Sequence, residues 1–581
     1  MKGHLIIRAL ILFCLCLQSI LLPAFADTLK VEIKAANSEQ EQNIRGTLSI
    51  SSLDGKEVPS ISRVRYLHKK AETEIKKALE PFGFYQVEAD ISLTESNGLW
   101  TAKYNVTPGA PILINQLDLK IEGEALADKA FTQLLQQSPV QEGKVLVHSD
   151  YESLKRQLMS LSAERGYHKA QLTEHRIDLD LIQYTAKVVL HFDSGPRFVV
   201  SDINFTGSPL REDFLSRYAT FQAGDSIETR SLIDLQTALM DSDYFKLVEV
   251  RPRWDSADES SVPVDVTLVP QPRTKYTAGL GYGTDTGART KFGLTRRWVN
   301  TRGHQFSSEL LASEVTNSLT AEYGIPGENP RKDRYAIYLN FEDENSNTVI
   351  SQTNAIGASW QKQYDRWQLI SAIDYKEEAF ELDGVSQQSR FLIPRVSANT
   401  FTGKSRLSVD QGYRFSAQLS GASESLLSDT DFIQLSVGGK YIHSLTEKWR
   451  VLGRVDAGMT WAGDFNLLPA SQRFFAGGDN SVRGYEYESL GPVGSDGDVI
   501  GGANLLVASI ETDYRLTKDW GVALFMDMGN AFDDIDMELK TGVGFGVRWF
   551  LPIGPVRLDF AIPQDNSASD FQIHFSLGAD L

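Results

Sequence analysis

Four charged side chains in the C-terminal third of this sequence have the types and setting to act together. Arg483 stands alone in the stretch 479-DNSVRGYEYESLGP-492, flanked by Val482 and by Gly484-Tyr485. Glu511, Asp527 and Arg548 follow in segments that alternate apolar and polar residues. A guanidinium is planar, permanently charged and forked, so it suits bidentate pairing with carboxylates. That chemistry is clamping rather than turnover. The sequence has no G-x-S-x-G nucleophile elbow and no H-E-x-x-H zinc helix. His148, His168, His175 and His191 are scattered as structural or solvated residues, and 279-GLGYG-283 lacks the helix that a dinucleotide loop opens. No catalytic residue, metal or cofactor is expected.

The segments around these residues read as strands with two unlike faces. In 521-GVALFMDMG-529, Val522, Leu524 and Met526 share one face, leaving Phe525 and Asp527 on the other. In 542-GVGFGVRWF-550 the apolar set is Val543, Phe545, Val547 and Trp549, so Gly542, Gly544, Gly546 and Arg548 face the opposite way. The phase of 505-LLVASIETDYR-515 puts Glu511 and Asp513 on that same side. A glycine strip beside carboxylates leaves room for another backbone to approach. Arg483 lies in a 37-residue gap between strands, 464–500, that also holds Phe474, Phe475, Tyr485 and Tyr487. Loops that long are usually functional or disordered, and the aromatics argue against disorder. The expectation is a loop folded inward, with its arginine among the carboxylates.

Period-2 alternation governs all of 273–581. Tyr335, Ile337, Leu339 and Phe341 share a face, as do Val451, Val455, Ala457, Met459 and Trp461. One apolar and one charged face over this length fit an antiparallel barrel with lipid outside and water inside, of roughly 16 strands. Closing the sheet removes the edge that lipid could not hydrogen-bond. The first strand carries Gly279, Gly281 and Gly283, which weaken pairing because glycine packs nothing. The last, 570-DFQIHFSLGADL-581, sets Phe571, Ile573, Phe575, Leu577 and Leu581 on one face. These two strands form the expected seam.

Ahead of the barrel the pattern repeats three times as strand, helices, strand, strand, with markers at Gly83, Gly166 and Asp243. The boundaries are 27–110, 111–196 and 197–272. Residues 1–26 read as a secretory signal: Lys2 and Arg8, then the apolar run 9–22, then Ala24-Phe25-Ala26. Both cysteines, Cys14 and Cys16, fall inside it, so the mature chain would have no disulfide and no thiol chemistry. Its loss would take the net charge from −18 to −20, which gives no overall attraction for nucleic acid.

Ser481-Val482-Arg483-Gly484-Tyr485 resembles the VRGF/Y loop motif of the POTRA–barrel outer-membrane assembly family that includes BamA and TamA. Phe525-Met526-Asp527-Met528-Gly529 is similar to that family's F-x-D-x-G strand motif, and Gly544-Phe545-Gly546-Val547-Arg548 to its G-x-G-x-R segment. The tandem units resemble POTRA domains, and three of them fit the TamA-like members best. The resemblance implies an Arg483–Asp527 pair, with Glu511 as a second acidic partner. It implies an outer-membrane barrel with periplasmic POTRA domains that inserts or translocates outer-membrane proteins, autotransporters among them. Unfolded clients, outer-membrane lipid and a TamB-like protein anchored in the inner membrane are the implied partners. A secretion pore or phospholipid conduit working through the lumen is the alternative. The terminal Leu581 departs from the aromatic ending common in outer-membrane proteins.

Overall fold

The computed structural model describes residues 27–285, 287–403, 409–534, 538–551, 554–564 and 571–577. The signal-like segment 1–26 lies outside the described residues, as do Asp570, Gly578 and Leu581 of the last predicted strand. The described chain packs as two units. One contains the residues up to Asp202 together with 222–232 and 252–264; the other contains 203–221, 233–251 and 265–581.

The first unit holds two α/β modules of the expected order. In the first, strand Thr28–Lys34 runs parallel to Leu99–Thr107, which pairs antiparallel with Glu88–Ser96. Helix Ile61–Leu79 buries Val64, Leu67, Ala71, Ile75 and Ala78, spaced three or four apart, against Ile44 and Tyr104. Ser60 caps it by accepting the Arg63 amide N–H. The second module repeats this arrangement with Leu113–Glu122, Thr185–Asp193 and Gln171–Asp180. Its helices Lys129–Gln137 and His148–Glu164 close over Phe131, Leu154, Leu158 and Phe192. A third three-stranded sheet has the order Val199–Thr206, Ser261–Pro270, Phe245–Pro252. The three repeat markers share one backbone state: Gly83, Gly166 and Asp243 have φ of 82°, 85° and 60°. At Gly83 and Gly166 a Cβ would also strike the carbonyl oxygen of Leu146 or Ile227, so glycine is required twice over.

The second unit is dominated by a sheet of sixteen antiparallel strands that runs in sequence order from Thr274–Gly283 to Gln572–Leu577. Alternation fixes which face each side chain takes. Tyr335, Ile337, Leu339 and Phe341 of strand Asp333–Asn345 are all exposed on the outer face, where lipid would cover them. Among the described residues no helix is long and apolar enough to cross a membrane. The strand ends at the N-terminal side of the barrel meet residues of the third module. Arg331 donates to both carboxylate oxygens of Asp234 at 2.7 and 2.8 Å, and the Tyr244 hydroxyl donates to the Gly303 carbonyl at 2.5 Å.

The first strand pairs with the second along its whole length, from Thr274 opposite Arg296 to Gly283 opposite Gly287. Among the described residues no such ladder joins it to the last strand. There the Thr284 amide donates to the Phe575 carbonyl at 3.3 Å, and the Phe575 amide donates to the Thr284 hydroxyl at 3.1 Å. Tyr282 and Phe575 add a ring contact with centroids 6.1 Å apart. Phe571 precedes the last strand rather than lying in it, because the strand spans Gln572–Leu577. Phe571 and Ile573 are exposed, while His574 between them and Phe575 is buried.

Candidate functional site

Strands Trp449–Ala462 and Asn504–Arg515 pair directly, yet 41 residues, 463–503, separate them. That connection folds into the barrel rather than standing away from it. Val482 and Tyr485 are buried and pack with Ala476, Leu490 and the inward Val507. These apolar contacts seat the Val-Arg-Gly-Tyr segment, so Arg483 arrives between them already aimed at the wall.

Arg483 uses its whole fork. Nε and Nη2 donate to the two oxygens of Asp527 at 2.7 and 3.0 Å, and its backbone N–H donates to the same carboxylate at 3.1 Å. Nη1 donates to Glu511 at 2.7 Å and to Asp559 at 2.8 Å. The guanidinium carbon lies 3.5 Å above the centre of the Phe525 ring, a cation–π contact. Asp527 is wholly buried and Arg483 is 6% exposed, so little water screens these charges.

Arg548 completes the cluster from the wall itself. It donates to Glu511 at 2.8 Å and to Asp559 at 2.5 Å, and it lies 3.6 Å from Asp513. Arg450 donates to the other oxygen of Asp513 at 2.5 Å. Three guanidiniums thus alternate with four carboxylates. Arg454 adds a fourth cation by donating to the loop carbonyls of Asn480 and Ser481. A buried ion pair offsets its desolvation only when nearly every donor and acceptor is used. Here the forks interlock, so most are.

The glycines make this approach possible. A Cβ on Gly542 would fall on the Arg483 carbonyl oxygen, one on Gly546 on the Asp559 carboxylate, and one on Gly544 on Phe525 and the Phe560 carbonyl. Gly484 has φ of 100° and donates its N–H to His574 Nε2 at 2.9 Å, which ties the loop to the last strand. Gly529 stands apart from the arginine; a Cβ there would meet the backbone of Leu506 and Val507 in the neighbouring strand. Gly279, Gly281 and Gly283 lie in the first strand, and Phe571 and Phe575 at the opposite edge, so the seam residues do not join the ion cluster.

At the outer end of the barrel the loop has a further anchor. Asp383, in the turn after strand Trp367–Leu382, accepts from the Asp496 amide at 2.8 Å, and from the Ser495 amide and hydroxyl at 2.9 and 2.8 Å. These donors, the Asp496 amide foremost, hold its carboxyl below the usual carboxylate range.

Asp559 and His574 were not anticipated from the sequence, although the alternation of 554-GPVRLDFAIP-563 places Arg557 and Asp559 inward by the rule that located Asp527. His574 had no comparable signal, since one histidine in an alternating strand is unremarkable.

Residues 280–581 match the Omp85 superfamily domain, which is more than half of the chain. The chain belongs to the Omp85 superfamily. Residues 30–108 match the first POTRA domain of TamA. Among Omp85 relatives, the outer membrane protein assembly factor BamA of Nitratidesulfovibrio vulgaris is 25% identical over 394 residues, covering 63% of this chain and 49% of that protein. The chain therefore spans about half the length of that relative. The chloroplastic outer envelope protein 80 of Arabidopsis thaliana is 34% identical over 119 residues, 18% of this chain and 15% of that one. Crystalline BamA from Haemophilus ducreyi lacking POTRA domains 1–3 shares the fold, with a TM-score of 0.68 at 17% identity, covering 80% of this chain and 99% of that structure. As an Omp85 protein it is an outer-membrane barrel with periplasmic POTRA domains.

Proposed function

We propose that this Omp85 protein is a TamA-type assembly factor, which inserts or translocates outer-membrane proteins, autotransporters among them, through its seam. The observation that carries this reading is the contrast at the two edges of the sheet. Fifteen neighbouring strand pairs are laddered, whereas first and last strands meet through two hydrogen bonds and one ring contact among the described residues. An unladdered edge presents free backbone donors and acceptors, which an extended client strand can pair with by β-augmentation. The folded-in loop supports the same reading, because Arg483 braces three strands close to that edge, while among the described residues no ladder joins the first and last strands.

In this scheme the modules divide as 27–110, 111–196 and 197–272 ahead of the barrel 273–581, a division supported by their three separate sheets. The POTRA sheets offer edge strands to unfolded clients, and a TamB-like protein anchored in the inner membrane bridges the periplasm. Val482, Arg483, Gly484 and Tyr485 act as the loop lock. Glu511, Phe525, Asp527, Gly544, Gly546 and Arg548 receive it, and Gly529 lets the wall strands close up beside it.

Cysteines at Tyr282 and Phe575, whose rings already touch, would lock the seam by a disulfide. Client insertion into the outer membrane should stop in the oxidised protein and return on reduction. Undiminished insertion with the seam locked would sink the seam mechanism. It would also favour passage through the lumen as a secretion pore or lipid conduit.

A further inference from the structure

We propose that the outer end of the seam is a binding site for a divalent transition-metal ion of the zinc class, formed by Asp285, Asp479 and His574. The three residues come from three elements. Asp285 lies in the turn after the first strand, Asp479 in the folded-in loop, and His574 in the last strand. One ligand atom from each falls within 4.8 Å of the others. Two carboxylates and an imidazole form a donor set that suits zinc, which bonds to such atoms at about 2.0–2.2 Å. Donors on a tetrahedral ion stand about 3.4 Å apart at those bond lengths. His574 Nδ1 and Asp479 are now 2.6 Å apart, so they need only separate slightly while Asp285 draws in.

Burial sets this group apart from a chance surface cluster. The His574 side chain is 4% exposed and that of Asp479 is 7%. As whole residues Asp285 and Asp479 are half-buried side by side, and the Asp285 carboxylate accepts the Asp479 backbone N–H at 2.6 Å. Glu488, a half-buried carboxyl, borders the same cavity of about 490 Å³ as Asp285 and Asp479. That cavity has room for the water that would complete the coordination.

Metal binding must also rearrange one hydrogen bond. At present His574 Nε2 accepts from the Gly484 N–H, so the ring carries its proton on Nδ1 and donates it to Asp479. A metal on Nδ1 displaces that proton, and the neutral ring then holds its proton on Nε2. Gly484 N–H loses its acceptor. Loading the site would therefore staple the last strand to the first turn while freeing the loop glycine.

The inference is independent of what passes through the seam. Its test is a Zn²⁺ titration of the full chain in detergent, followed by calorimetry, with Co²⁺ absorption as a spectroscopic check. Saturable one-to-one binding is expected, with the intense visible bands of four-coordinate cobalt. Asp285→Asn, in the turn, should abolish both. His574→Gln should do the same while keeping an oxygen that can accept from Gly484. Heat-modified gel mobility like that of the wild type would show that each variant is folded. Absence of saturable binding in the wild type, or binding unchanged in either folded variant, overturns the proposal.

Discussion

Arg483 is the residue whose replacement separates charge from geometry. Alanine would strip Asp527 of its guanidinium fork and leave Glu511 and Asp559 to Arg548. Removing one partner from a buried network costs about 3–5 kcal/mol. Arg483→Lys keeps the charge but cannot span Asp527 and Glu511 at once, and it forfeits the stacking over Phe525. The expected outcome is a barrel whose gel mobility shifts at lower temperature in both variants, with lysine recovering only a minor part of the loss. Wild-type thermal stability in Arg483→Lys would show that charge alone holds the loop. Period-2 alternation sufficed to place Asp527, Glu511 and Arg548 inward, because the pleat gives each residue only two choices. It could not say which inward charges meet. That depends on strand register and on where the loop lands, so Asp559 and His574 came into view only in three dimensions.

At the scale of elements, the loop is held at two depths by different chemistry. Its root rests on the buried ion cluster, while its tip rests on Asp383, an exposed carboxylate that accepts hydrogen bonds from residues 495 and 496. Because the docked form holds the Asp383 carboxyl below its undocked value, docking binds fewer protons than undocking does. The tip anchor is therefore at full strength above about pH 4 and is lost as pH falls through the lowered value. A spin label at Val493, which is exposed, should grow mobile as pH is lowered from neutral to 3, whereas Asp383→Asn should show high mobility already at neutral pH. A label equally immobile in Asp383→Asn would remove the anchor from the account. The repeat elements were the most legible part of the sequence. Their turn markers all need a left-handed backbone, and such positions select from a short list of residues. The unladdered seam was less so, since glycines in a first strand do not reveal whether a distant last strand pairs with it.

For the molecule as a whole, the second unit joins part of the third module to the barrel through polar contacts at the strand ends. The Arg331–Asp234 fork is partly exposed, so its loss should cost no more than about 1 kcal/mol. Its value is directional, because two parallel hydrogen bonds fix an orientation as well as a distance. Asp234→Ala should leave the temperature of barrel unfolding nearly unchanged and raise hydrogen exchange in helix Thr229–Asp241 and in the Gly327–Asp333 turn. Unaltered exchange there would mean that the Tyr244–Gly303 contact suffices.

The ion cluster also bears on how a growing chain is judged finished. Arg483 and Gly484 are synthesised well before two of their acceptors, Asp559 and His574, which lie 76 and 90 residues further along the chain. A chain cut short of Gly554 would contain the arginine and most of its wall, yet would leave a donor of Arg483 and the Gly484 N–H without acceptors. Leaving such buried donors unmet costs about 1–3 kcal/mol each, more for the charged one. The loop therefore cannot settle fully until the C-terminal strands are in place. The same contacts that hold the loop against the inner wall thus serve as a check on assembly, distinguishing a barrel with its last two strands in place from one without them.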